Sequence, residues 1–195
     1  MRLKKLICFY IFVASLAMSF VVGPAVAQDN SFSGSYRLTK AVKDKDYAKL
    51  RSMLSKGVNV NTRDFQDGST PLYLASKMKD VVMVTFLLNA EAKTDIPVKQ
   101  TGETPLMAAI SVRGHEVAKL LIGQNADVNI KDRNGETALH KAVQLNDRAM
   151  VKTLLDANAD WSLADNTGRT PLDLTKENRR LRSITRVLEG AGVEY

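Results

Sequence analysis

The chain is nearly without sulfur nucleophiles: one of its 195 residues is a cysteine, Cys8, and that one lies inside an N-terminal apolar run. Beyond the run there is no thiol at all, which excludes disulfides, thiolate metal sites and cysteine catalysis there. Histidine is almost as scarce. His115 and His140 are the two groups able to serve as acid and base near neutral pH, and they do not stand four apart as two ligands on one helix would. Acidic residues near the glycine turns, Asp64, Asp67 and Asp132, lack the spacing of a calcium loop and fit turns that bond their own backbone. No enzyme, cofactor or metal site is expected. Excess charge is also missing. The formal net charge is +7, but Arg2, Lys4 and Lys5 belong to the leader, and without them 25 bases face 21 acids, or +4. That is too mild to indicate nucleic acid as a partner.

What is present begins with a leader in three parts. Residues 1–5 are positive, 6–22 are almost wholly apolar, and Gly23-Pro24-Ala25-Val26-Ala27 supplies a breaker followed by small residues. This pattern predicts a signal peptide over 1–27, cut after Ala27, and a periplasmic protein. The apolar run is slightly long for a signal and slightly short for a span, so retention as an anchor is the alternative, and with it membrane association. Cys8 lies too near the start for lipid attachment. A polar, Gly/Ser-rich lead-in occupies 28–35.

From Tyr36 a period emerges. Thr-Pro-Leu stands at Thr70-Pro71-Leu72, Thr104-Pro105-Leu106 and Thr170-Pro171-Leu172, with Thr137-Ala138-Leu139 as a variant, at intervals of 34, 33 and 33. Such intervals are the signature of stacked repeats. Gly68, Gly102, Gly135 and Gly168 precede each Thr by two residues, where a tight turn requires positive φ. The Thr caps a first helix, and Pro at the first helical position loses no needed N–H. Small residues, Ala75, Ala109 and Ala142, permit close approach. A second helix follows, carrying Leu87-Leu88, Leu120-Leu121 and Leu154-Leu155, and ends near Gly57, Asn125 or Asn158, residue types that tolerate a left-handed stop. Glu91 breaks that rule. In the three central units the capping Thr lies 22 residues before the closing Ala, as in Thr70 to Ala92, so the extra residue between Thr70 and Thr104 is expected in the loop around Ile96, Pro97 and Val98.

With several positions agreeing in register over four units, the stretch from Tyr36 to Glu189 resembles the ankyrin-repeat family. The resemblance implies an all-α solenoid of stacked helix-turn-helix units joined by β-turn or hairpin loops. About five units are expected: a degenerate N-terminal cap at 36–64, full units at 65–98, 99–131 and 132–164, a C-terminal cap at 165–189, and a frayed tail at 190–195. The family's His after Thr-Pro-Leu survives as His140, expected to bond turns of its own and the next unit, while Tyr73, Met107 and Asp173 replace it elsewhere. Gly-His in the inter-helix turn appears once, as Gly114-His115, shifted by a residue. Thr175 replaces the small buried residue in the fifth unit. Lys176, Arg179, Arg180, Arg182 and Arg186 give that unit a polar outer face, most simply a solvated cap. Trp161 is expected to pack in the loop layer.

The resemblance further implies a non-catalytic protein-binding module, monomeric, whose partner contacts the turn tips and the exposed side of the first helices. Carried over position by position, that face comprises Gln66, Asp67, Ser69, Lys77 and Met78 in the second unit and Gln100, Thr101, Glu103, Ser111 and Val112 in the third. In the fourth it comprises Arg133, Asn134, Glu136, Gln144 and Leu145. Met78, Val112 and Leu145 share one place in successive helices and would form an apolar stripe. Within this reading a scaffold for a periplasmic enzyme competes with an inhibitor or immunity protein that neutralises a toxin.

Overall fold

A computed structural model describes residues 34–190 of the chain. The predicted signal peptide and its cleavage site, most of the lead-in and the tail past Gly190 lie outside the described residues. Those described form an all-α repeat solenoid without strands among them. Five helix pairs follow one another: α1 (Gly34–Lys43) with α2 (Tyr47–Ser55), α3 (Pro71–Lys77) with α4 (Val81–Asn89), α5 (Pro105–Ser111) with α6 (His115–Gly123), α7 (Ala138–Gln144) with α8 (Arg148–Asp156), and α9 (Pro171–Glu177) with α10 (Arg182–Gly190). A single 3-10 turn, Arg179–Leu181, joins the last two. α1 starts at Gly34, two residues before the point where helical texture is legible in the sequence.

Local chemistry sets the helix ends. The Thr70, Thr104 and Thr170 side chains accept from Tyr73, Met107 and Asp173 N–H at the starts of α3, α5 and α9. Asp46, Asp80 and Asp147 cap α2, α4 and α8 in the same way. α6 is the exception, because Gly114 occupies its cap and offers no side-chain acceptor. The left-handed residue of that inter-helix turn is Arg113 (φ 55°), with Lys45, Lys79 and Asn146 in the equivalent places. The shift of Gly-His seen in the sequence is therefore real: the glycine stands one residue past the position that needs it. Glycine still has a use there, since an added Cβ would come within 3.0 Å of the Lys79 side chain and 3.2 Å of the Ala109 carbonyl. Glu91 adopts the left-handed stop (φ 62°) alongside Gly57, Asn125 and Asn158, at the conformational cost a non-glycine residue bears there.

The core runs along the stack. Leu72, Leu106, Leu139 and Leu172 are buried, as are Ala75, Ala109 and Ala142, and each first helix packs on the first helix of the next unit and on its own second helix. In the fifth unit Thr175 is buried and satisfies its hydroxyl on the Leu172 carbonyl at 2.7 Å. Trp161 is half-buried and packs against the core.

The extra residue is not around Ile96 to Val98. Ala92 to Val98, Ala126 to Asp132 and Ala159 to Asp165 each span six positions. The difference lies in the tip itself. In units two and three the tips close from Asp64 N–H to the Ser69 carbonyl and from Val98 N–H to the Glu103 carbonyl. In units four and five they close one residue sooner, from Asp132 to Glu136 and from Asp165 to Arg169. Counting from the capping Thr to the closing Ala skips the tip, which is why the sequence reading misplaced the insertion.

Candidate functional site

The tips and first helices present one continuous face. Three of the four tips are built on a side-chain acceptor at the base: Asp64 accepts from Gln66 N–H, Asp132 from Asn134 and Glu136, and Asp165 from Thr167 and Arg169. Asp67 accepts from Ser69 N–H. These carboxylates are occupied by backbone, as expected. Val98 takes the acceptor's place in the third unit and is instead buried with Tyr73 and Ala108. Neighbouring tips are laced together. Arg133 N–H donates to the Thr101 carbonyl and Asn166 N–H to the Asn134 carbonyl, both at 2.9 Å, while the Gln100 amide reaches the Gln66 carbonyl and the Arg133 guanidinium the Lys99 carbonyl.

Below the tips lies a polar network spanning three units. The Lys141 ammonium is held by Asp132 at 2.9 Å, Glu136 at 3.1 Å and Glu103 at 3.5 Å. The Tyr73 hydroxyl donates to the other Glu103 oxygen at 2.9 Å, and the Gln144 amide donates to Glu136. Burial alone would lower the Lys141 pKa, but the hydrogen bonds and charges of Asp132 and Glu136 outweigh it and hold the ammonium above its ordinary value. Burial, then the Glu103 hydrogen bond, raises the Tyr73 phenol well above its ordinary value. Lys77 stands 5.9 Å over the Tyr73 ring.

Several expected contact residues are confined by this arrangement. Ser69 is fully buried (0% exposed), because its tip turns the short side chain inward, so it cannot meet a partner; its Oγ has no hydrogen-bond partner among the described residues. Met78 and Leu145 are half-buried and pack on the core, and Val112 is half-buried as well, so the expected apolar stripe is largely used in packing. Glu103 and Glu136 are half-buried in the Lys141 network. Exposed and grouped are Gln66, Gln100, Thr101, Arg133 and Asn134 on the tips, with Lys77, Ser111 and Gln144 on the first helices; Asp67 is half-buried between. The sequence reading missed Phe65. It is 75% exposed at the wide second tip, 6.2 Å from the Tyr36 ring, and it borders a cleft of about 390 Å³ shared with Arg63, Lys99 and Gln100. An aromatic inside the polar run Asp64-Phe65-Gln66-Asp67 was the available signal.

His140 joins the fourth and fifth units. Thr137 N–H donates to Nδ1 at 3.2 Å, and Nε2–H donates to the Arg169 carbonyl at 3.1 Å, which fixes a neutral tautomer. Burial lowers its pKa from the ordinary 6.5, outweighing the Arg169 carbonyl that would raise it. The unfolded chain then binds the proton more readily, so the stabilisation is complete above about pH 6.5 and is lost as pH falls below it. Urea midpoints measured across that window should decline on acidification. In His140→Gln, which keeps a side-chain acceptor for Thr137, the decline should flatten.

No group of three or more His, Cys, Asp or Glu able to hold a metal occurs among the described residues. The family model "Ankyrin repeats (3 copies)" matches residues 38–132 and 114–194. An ankyrin repeat protein of Acanthamoeba polyphaga mimivirus is 30% identical over 112 residues, 57% of this chain and 14% of that protein. The ankyrin repeat, SAM and basic leucine zipper domain-containing protein 1 of Echinops telfairi is 32% identical over 99 residues, 48% of this chain and 20% of its own. A 26S proteasome regulatory subunit, p28, of Saccharomyces cerevisiae is 34% identical over 84 residues, 42% and 37% of the two chains. The matched stretch thus spans well under half of each relative's length.

Proposed function

The chain belongs to the ankyrin-repeat family, a family of protein-interaction modules, and on that premise we propose that it is exported to the periplasm and holds one partner protein on its tips. Export rests on the leader pattern of residues 1–27; the observation that carries the binding reading is the pair of wide tips in units two and three. They put Phe65, Gln66, Gln100 and Thr101 in the open beside Arg133 and Asn134, an exposed aromatic edged by polar groups on a tied backbone. Interface energy concentrates on aromatic and arginine anchors of this kind. Catalysis has no support, since His140 is committed to the stack and His115 is paired with Asp147 at 2.5 Å, the carboxylate that caps α8. The yeast relative, by its name a subunit of a larger assembly, is in keeping with a binding role.

Affinity capture from a periplasmic extract tests the reading, with the bait weighed intact to show a chain beginning at Gln28. Phe65→Asp combined with Gln100→Glu and Arg133→Glu should abolish capture while thermal unfolding stays within a few degrees of the parent. Lys56→Glu with Lys93→Glu, exposed on other loops, should leave capture intact. Capture that survives the tip changes overturns the assignment. Reversing Glu103 is no substitute, because it would strip a partner from Lys141 and report on folding instead.

A further inference from the structure

The second helices carry an ordered face of their own. Their first residues, Tyr47, Val81, His115, Arg148 and Arg182, recur at intervals of 34, 34, 33 and 34, and so form one row across the stack. The residues four further on, one turn along on the same side, are Arg51, Thr85, Lys119, Lys152 and Arg186. These rows change character along the stack. In the first two units they present exposed apolar groups, Tyr47 and Val81 with Val82 beside it, and one exposed cation, Arg51. Tyr47, Val81 and Val82 are three of the four large hydrophobic side chains exposed among the described residues, the fourth being Phe65 on the tips. In the last three units they present cations: Lys119, Arg148, Lys152, Arg182 and Arg186 are exposed, and none forms an ion pair or side-chain hydrogen bond among the described residues. Three exposed acids share this side, Asp156 four residues beyond Lys152 and Glu116 and Glu189 three from Lys119 and Arg186, but with exposed Arg179 and Arg180 the cations outnumber them and the end is net cationic.

We propose that this second-helix face seats the protein on an anionic phospholipid surface, with the Val81 and Val82 end at the acyl boundary and the Arg148 to Arg186 end against headgroup phosphates. A face joining apolar side chains to a field of unpaired cations is what the bilayer interface accepts, through buried apolar area together with attraction to anionic lipid. Nucleic acid fits it less well. Among the described residues the cationic end carries no aromatic side chain for bases to stack on, and exposed valines gain nothing against a phosphate backbone. The face lies along helices of nine residues, and no described helix is long and apolar enough to cross a membrane. The tips stay free, so lipid and a protein partner would occupy different faces.

The test is co-sedimentation of the full chain with vesicles of phosphatidylcholine alone and with about one third phosphatidylglycerol, at low and high salt. Because any contribution of the leader is common to all variants, the reading is the gain on adding anionic lipid. Wild type should show that gain and lose it with salt. Changing Lys119, Arg148, Lys152, Arg182 and Arg186 to Gln should weaken the partition coefficient about five-fold per charge, removing the gain. Val82→Asn should weaken binding that persists in high salt, and Lys56→Gln with Lys93→Gln should bind as wild type. Gln retains helix propensity and every changed side chain is exposed, so the fold is spared. Equal binding to both vesicle types, an equal loss in the Lys56 and Lys93 control, or tighter cation-dependent binding to duplex DNA than to vesicles would overturn the proposal.

Discussion

Lys141→Met is expected to destabilise the protein by roughly 3–5 kcal/mol, the range for removing one partner of a buried charge network. The ammonium is nearly enclosed, with a side chain 10% exposed, and it neutralises Asp132, Glu136 and Glu103, whose side chains are 2%, 15% and 22% exposed. Without it three carboxylates face one another inside the stack. Two of them belong to the fourth unit and Glu103 to the third, so the loss should uncouple neighbouring repeats as well as weaken one. Equilibrium urea denaturation measures it. The physical account makes a second demand. The other first helices hold Leu74, Ala108 and Leu174 at the place of Lys141, so the position accepts an apolar residue once the charges are gone. Lys141→Leu with Asp132→Asn, Glu103→Gln and Glu136→Gln, which removes all three carboxylates and keeps the Asp132 acceptor for its tip, should therefore recover most of the lost stability. If the quadruple variant is as unstable as the single one, packing and not charge is what Lys141 supplies.

This network also shows where sequence reading reaches and where it stops. The stacking of Leu72, Leu106, Leu139 and Leu172, the Thr caps and the glycine tips were all legible, because each depends on neighbours within a few residues and recurs in register. His140 was legible for the same reason: its position in the repeat states its role. Lys141, one residue on, was not. Its nearest partner along the chain is five residues away and its farthest 38, and a lysine on a short helix reads as solvated until the tips are folded over it. Glu103 failed in the opposite direction. It sits at a position that contacts partners in the family, but Tyr73 and Lys141 had already claimed it. Ser69 shares that position one unit earlier and is too short to leave the interior. Phe65 lies inside the second unit's tip, which has no capping Thr before it to count from, so its extra residue left no interval to read. Misreadings thus gather where residues 30 to 38 apart meet, which is also where a repeat protein differs from one unit to the next.

The four tip glycines share a positive φ, between 70° and 81°, yet alanine should not cost the same at each. At Gly168 an added Cβ meets nothing within 4 Å, so Gly168→Ala should cost only the left-handed backbone, about 1–2 kcal/mol. At Gly68 the Cβ would press on the Lys99 side chain at 2.9 Å, and part of that strain can relax as the chain swings aside. Gly102 offers less relief, with the Arg133 backbone nitrogen at 2.8 Å. Gly135 is the extreme, with the Asn166 backbone nitrogen at 2.6 Å and its Oδ1 at 2.5 Å. Those are the groups that tie the fifth tip to the fourth, through Asn166 N–H on the Asn134 carbonyl and the Asn166 amide on the Arg133 carbonyl at 2.8 Å. Gly135→Ala must push the tips apart, and overlap added to backbone strain should cost about 3 kcal/mol or more. The C-terminal cap would then lose its coupling to the array, and in a quasi-one-dimensional stack the interface terms carry cooperativity. The single tryptophan, Trp161, closes the fourth unit and reports that junction. In Gly135→Ala its fluorescence transition in urea should come earlier than the circular-dichroism transition of the whole stack, whereas in Gly168→Ala the two should coincide. Equal losses for the two variants would show that neighbouring tips do not bear on each other, and that each glycine answers to its own turn alone.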